Sequence, residues 1–207
     1  MSTDRPYSSS LREEQALQTR LRIRRAAREL FAAQGFGSTT IAQIARSAGV
    51  SAATVYAAFE SKAGIVVAML EDLEEEASIG PQLEAVFAEP HPGTQLRAYV
   101  AVHCHLFAEG SDILRAAMRA VEDPDVAALA EAGDKHRRQA IDALVARWQV
   151  AGALRSGLTP RQASDRLWLL TTVEGFLNAV DRLGWTHRQY ETWLCELAER
   201  EILDSSR

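Results

Sequence analysis

The sequence predicts an all-α fold, with a compact head of short helices at the N-terminus and a longer helical body behind it. Three observations carry that prediction. Apolar side chains recur at helical spacing along most of the chain, and no stretch alternates for long with the period of two that marks a strand. Thr, Pro and Gly fall where helices start and stop, dividing the chain into segments of helical length. The composition, 47% hydrophobic and 25% charged, supplies enough apolar mass for a substantial core. No internal repeat is evident, and no run approaches the roughly 20 apolar residues of a membrane span.

The elements follow in order. The opening Met1 to Ser10 is polar, lacks the apolar stretch of a secretory signal, and reads with its neighbours as a mobile arm over residues 1–16. Over 17–34, Leu21, Ile23, Ala26, Ala27, Leu30 and Phe31 form the apolar stripe of an amphipathic helix that stops at Gly35. Thr40 stands as the N-cap of a second helix, Ile41 to Ala45 and on to Gly49. Ser51 opens a third, Ala52 to Phe59, and Lys62 opens a fourth that runs toward Glu76.

Residues 40–59 have a spacing with chemical meaning. Two short helices joined by a tight turn cross steeply, which requires a small residue at their contact and a flexible one in the turn. Ala45 and Gly49 meet those needs, while Ile44, Val50, Val55 and Phe59 build a small core. Thr54 and Tyr56 are then left facing outward, as in a helix-turn-helix whose second helix enters the major groove. By spacing alone, a plain helical hairpin is equally compatible.

Charge adds an asymmetry. Residues 1–64 hold nine basic and five acidic side chains, so the head is +4 while the whole chain is −5 and the rest is −9. A basic head on an acidic body suits a protein in which one module meets polyanionic DNA and the other does not.

The stretch Thr19 to Ile65 resembles the DNA-binding domain of the tetracycline-repressor-like (TetR) family. Matching pieces are Ala26-Ala27 with Leu30-Phe31, Gly35-Phe36, Thr39-Thr40-Ile41, Ile44-Ala45, Ala48 to Ser51, Thr54-Val55-Tyr56, Phe59 and Ser61-Lys62. The resemblance implies a helix-turn-helix DNA-binding domain over 17–64 and a helical ligand-binding and dimerisation domain over 65–207. It implies that Thr40, Thr54, Tyr56 and Lys62 hold phosphates, with Gln43 and Arg46 near enough to join them. Base reading falls to Ser51, Ala52, Ala53 and Ala57, with ring contacts from Tyr56. Alanine reads little beyond a thymine methyl, so this recognition helix is expected to lean on phosphate contacts and DNA shape. Arg5 and Arg12 are either minor-groove contacts or part of a solvated tail.

In the body, Gly80-Pro81 and the Pro90 to Gly93 turn end the fourth helix region. Further helices are expected over Thr94 to Glu109, from Ser111 toward Val121, Asp125 to about Leu154, Pro160 to Leu183, and His187 to Leu203. By the resemblance, the last two pack against a second copy, with Leu170, Leu177, Val180, Tyr190, Trp193, Leu194 and Leu197 at the interface. A dimer also answers a need of recognition, since one short helix covers too few base pairs to be specific. Relatives hold a small-molecule effector in the body. Tyr99, His103 and Phe107 share a helix face at i, i+4, i+8, and Met118, Trp148, Trp168, Thr172 and Phe176 are candidates to complete an aromatic wall.

The implied partners are operator DNA, a second copy and a small apolar or aromatic ligand, with neither cofactor nor membrane. The implied role is a ligand-released repressor. An activator of the same family, or an interaction module that reads no sequence, is the alternative. An enzyme is not expected, because the chain carries no GxSxG, P-loop, dinucleotide fingerprint or His-carboxylate metal motif. His103 and His105 lie roughly 200° apart on a helix and cannot grip one ion. Only Cys104 and Cys195 are present, far apart, so a disulfide framework is not expected and a reducing cytoplasm fits; a redox-sensing Cys104 stays open.

Overall fold

The computed structural model describes residues 6–204, with side chains from residue 12 onward other than Glu74. Among them are eleven helices: α1 (Pro6–Gln34), α2 (Ile41–Ala48), α3 (Ala52–Phe59), α4 (Lys62–Glu76), α5 (Ile79–Ala88), α6 (Pro92–Glu109), α7 (Ser111–Arg119), α8 (Pro124–Val150), α9 (Pro160–Leu170), α10 (Val173–Leu183) and α11 (His187–Ile202). No single helix among the described residues is long and apolar enough to cross a membrane.

The chain divides into two compact units. One comprises the residues up to Leu70 together with Arg115–Ala127, the other Glu71–Leu114 and the residues from Ala128 on. By packing, the first division falls after Leu70, and a later segment groups with the first unit; the boundary expected from the sequence lies after residue 64.

In the first unit α1 buries Ile23, Ala26, Ala27 and Phe31, α2 buries Ile44, Ala45 and Ala48, and α3 buries Val55 and Phe59. Each large apolar side chain buried here contributes roughly 1.5–3 kcal/mol. Ala63 of α4 packs with Ala120 and Val126 from the returning segment. The helix expected over 17–34 begins earlier, at Pro6, so residues 6–16 of the expected arm are helical. Residues 1–5, with Arg5, lie outside the described residues.

In the second unit α6 packs against α5 and α11, and α11 also meets α9 and α10. Buried Leu96, Tyr99, Val100, Leu144, Trp148, Leu167, Phe176, Leu194 and Ile202 form its core. At Gly175 an added Cβ would stand 3.0 Å from the Tyr190 hydroxyl, so α10 approaches α11 closely there. Two expectations for helix ends are corrected. Gly80 and Pro81 do not end a helix but sit in the first turn of α5, where a missing proline N–H leaves no bond unmade. The helix expected from Pro160 to Leu183 is two: Thr172 turns extended and its hydroxyl accepts the Gly175 N–H, starting α10 afresh.

Candidate nucleic-acid interface and aromatic core

Local chemistry sets the α2–α3 pair. Thr40 is extended and its hydroxyl accepts the Gln43 N–H at 3.2 Å, while the Gln43 side-chain oxygen accepts the Thr40 N–H at 2.8 Å. This reciprocal cap satisfies two donors that a helix start leaves open. The Thr40 hydroxyl proton also goes to Gln43, at 3.0 Å, so both side chains expected at phosphates hold each other in the DNA-free chain. Gly49 is left-handed, with φ 66°, and closes α2; Val50 N–H donates to the Ala45 carbonyl. Ser51 caps α3 by accepting the Thr54 N–H at 3.0 Å, and the two hydroxyls share a 2.8 Å hydrogen bond.

With Val55 and Phe59 turned into the core, α3 exposes Ser51, Ala52, Ala53, Tyr56 and Ala57 along one surface, and Thr54 is half-buried. Those are the residues expected to read bases, and three of them offer only methyl groups. Tyr56, 53% exposed, is the large side chain on that surface. Arg46 is exposed in the last turn of α2. Arg12 is exposed on α1.

Lys62, expected at a phosphate, is engaged within the DNA-free chain. Its ammonium donates to the carbonyls of Phe36 at 2.7 Å and Thr39 at 2.8 Å and lies over the Phe36 ring, 4.1 Å from its centre. Burial lowers its pKa. Two of its three protons are therefore engaged at the α1–α2 turn in the DNA-free chain. Arg20, which sequence reasoning did not single out, ties α1 to the end of α3: its guanidinium donates to the Ala58 carbonyl and covers the Phe59 ring. Gly64 was missed as well. A Cβ there would stand 2.1 Å from the Phe59 carbonyl oxygen, so the α3–α4 corner excludes any side chain. Glu60 turns that corner at φ 62°, left-handed without being glycine.

The second unit holds a run of rings. Tyr99 and His103 are 4.3 Å apart by ring centres, His103 and Phe107 6.1 Å, Phe107 and Phe176 5.7 Å, and Phe176 and Tyr190 5.4 Å. Nδ1 of His103 donates to the Tyr99 carbonyl at 3.0 Å, and burial lowers the imidazole pKa to about 4. His105 faces solvent, so the two histidines do diverge. Among the eight residues expected at an effector, Tyr99, His103, Phe107 and Phe176 come together. Trp168 lies under the Arg137 guanidinium, 4.7 Å from its ring centre, and Thr172 is a cap. Trp148 is buried and donates to the Gln95 side-chain oxygen at 2.7 Å. Met118 belongs to the first unit and is exposed, so the eight are not one wall of one unit.

Arg137, on α8, was not singled out by the sequence reading. It donates to the Trp168 carbonyl at 2.9 Å and the Thr171 carbonyl at 2.7 Å, covering the end of α9, and pairs with Asp134 at 2.8 Å. Cys104 and Cys195 are buried, free thiols, and burial pushes them up to about 12 and about 11. Both are neutral near pH 7, unlike the reactive thiolate a redox sensor uses.

The expected dimer residues divide too. Leu177 of α10 is buried within its own chain, and so are Tyr190 and Leu194, because their helix, α11, is covered by three neighbours. Trp193 is 42% exposed, and Leu170, Val180 and Leu197 are half-buried. Leu169 and Leu183, at 65% and 66%, are exposed apolar groups on α9 and α10 that the sequence reading passed over.

Residues 23–69 match the family model described as bacterial regulatory proteins, tetR family. Over 63 residues the chain is 41% identical to the HTH-type transcriptional regulator TtgR of Pseudomonas putida, a match covering 30% of this chain and only 30% of that relative's length. Its fold is similar to that of NalD, the secondary repressor of the MexAB-OprM multidrug efflux pump in Pseudomonas aeruginosa. There the TM-score is 0.74 at 25% identity, covering 93% of this chain and 99% of that one. SmeT, the repressor of the Stenotrophomonas maltophilia multidrug efflux pump SmeDEF, shares the fold at TM-score 0.69 and 19% identity, covering 91% and 94%.

Proposed function

The chain belongs, through residues 23–69, to the tetR family of bacterial regulatory proteins, and on that premise we propose that it represses transcription as a ligand-released homodimer on a palindromic operator. One observation carries the reading: a capped, rigid α2–α3 pair presents Ser51, Ala52, Ala53, Tyr56 and Ala57 to solvent above a closed core. Such a surface fits the major groove, and two copies place it on successive turns of DNA, about 34 Å apart. Exposed Leu169, Leu183 and Trp193, with half-buried Leu170, Val180 and Leu197, support a two-fold contact through α9–α11.

Repression is favoured over activation by the similarity to NalD, described as a repressor. The effector binds the second unit, and its differential affinity for two dimer states shifts the head spacing and releases DNA. Ala53→Glu tests the interface: a carboxylate on the α3 surface repels phosphate without touching the core. Operator binding by fluorescence anisotropy should be lost while the far-UV CD spectrum and melting temperature stay as in the wild type. Undiminished binding would remove α3 from the interface. The three exposed alanines favour one competing reading, a module that binds DNA without reading it or docks a protein instead.

A further inference from the structure

Tyr99 is wholly buried, and its hydroxyl is the buried side-chain polar atom left without a hydrogen-bond partner among the described residues. Phenylalanine would fill the same space, so packing does not account for the oxygen, and a buried polar group of this kind calls for an explanation. Its surroundings indicate one. One turn along α6, His103 commits its Nδ1 proton to the Tyr99 carbonyl, which in the neutral ring leaves Nε2 as a lone-pair acceptor. Phe107 and Phe176 supply aromatic faces beside them.

Resting on the effector reading above, we propose that the effector is an uncharged aromatic compound whose oxygen accepts the proton of the Tyr99 hydroxyl. Charge decides the class. The charged group whose field reaches both Tyr99 and His103 is Arg137, which disfavours a cationic ligand beside them. An anion would have to shed its water among aromatic faces, while the guanidinium is already engaged by two carbonyls, the Thr171 hydroxyl and Asp134. A neutral ketone, ester or phenol avoids both penalties and supplies the missing acceptor.

The test compares four naphthalene probes, titrated calorimetrically into the full-length protein and into Tyr99→Phe. 2-Acetylnaphthalene should bind, with 2-naphthoate and 2-naphthylmethylammonium about tenfold weaker or more. Tyr99→Phe should weaken the ketone by about tenfold, the loss expected for one hydrogen bond. Naphthalene, having no acceptor, should bind both proteins alike, which shows that the site keeps its shape in the variant. The proposal is overturned if none of the four binds, if either ion binds more tightly than the ketone, or if the variant holds the ketone as well as the wild type does. Anisotropy of an operator complex separates this from the effector reading. Tyr99-dependent ketone binding that leaves DNA bound refutes release but keeps the ligand class. Release by a compound to which Tyr99→Phe responds normally does the reverse.

Discussion

Replacing Lys62 by Met keeps an apolar stem over Phe36 and removes the ammonium that braces the α1–α2 turn. The loss can be built from its contacts. Hydrogen bonds from a charged donor contribute about 1.5–3 kcal/mol each, and the cation over an aromatic face about 0.5–1. The Phe36 carbonyl keeps a second donor, the Thr39 N–H at 3.2 Å, so that bond is largely redundant. The bond to the Thr39 carbonyl and the ring contact remain, and the part-buried ammonium no longer has to be desolvated. A net destabilisation of about 2 kcal/mol follows, read by urea denaturation with far-UV CD. All four tryptophans belong to the second unit, so tryptophan fluorescence serves as a control that should shift less.

The same variant separates a brace from a phosphate contact. Losing one phosphate contact flattens the dependence of log K on log salt by about 0.9. If Lys62 acts by holding the turn, affinity falls while the slope stays as in the wild type. A variant within about 0.5 kcal/mol of wild-type stability, with a slope reduced by about one, would refute this reasoning.

Gly64→Ala forces a Cβ against the Phe59 carbonyl and should destabilise the first unit by about 2 kcal/mol or more; a wild-type urea midpoint would contradict the close approach. Tyr99→Phe removes an unpaired buried hydroxyl and should stabilise the ligand-free chain by about 1–2 kcal/mol, seen as a raised melting temperature. Arg137→Met uncovers the end of α9 and should cost about 2 kcal/mol, with faster amide exchange in α9 and the start of α10 as its local signature. His103 has a folded pKa lowered to about 4 from 6.5, so the unfolded chain binds its proton first and stability is lost as pH falls through that window. His103→Gln should flatten the pH dependence of stability between 6.5 and 4, and an unchanged profile would mean that the imidazole titrates freely.

The α2–α3 pair was legible because its determinants are local. Thr40, Gly49 and Ser51 set helix ends close to themselves, and their residue types state their roles; that Gln43 completes the Thr40 cap was not read from the sequence. The braces were not legible. Lys62 reaches back 26 residues to Phe36, and Arg20 forward 38 to Ala58, contacts that leave no local pattern. The break at Thr171-Thr172 was hidden because the apolar period continues across it, and only the cap to Gly175 and the Arg137 cover show that hydrogen-bonding chemistry prevailed. In the second unit, helical spacing correctly aligned Tyr99, His103 and Phe107. It could not tell which side of α11 stays free, because Tyr190 and Leu194 are claimed by three neighbouring helices. Periodicity reports that a side chain is buried, not what covers it.

The central claim is that the exposed α3 surface reads an operator as a two-fold pair. Selection of genomic fragments by the purified protein at moderate salt, with sequencing of what is retained, tests it most directly. A palindromic motif with half-sites about one helical turn apart, or a small multiple of it, is the predicted result. Retention that follows only salt and bulk DNA, with no shared motif, would contradict it and leave the three alanines of α3 reading nothing.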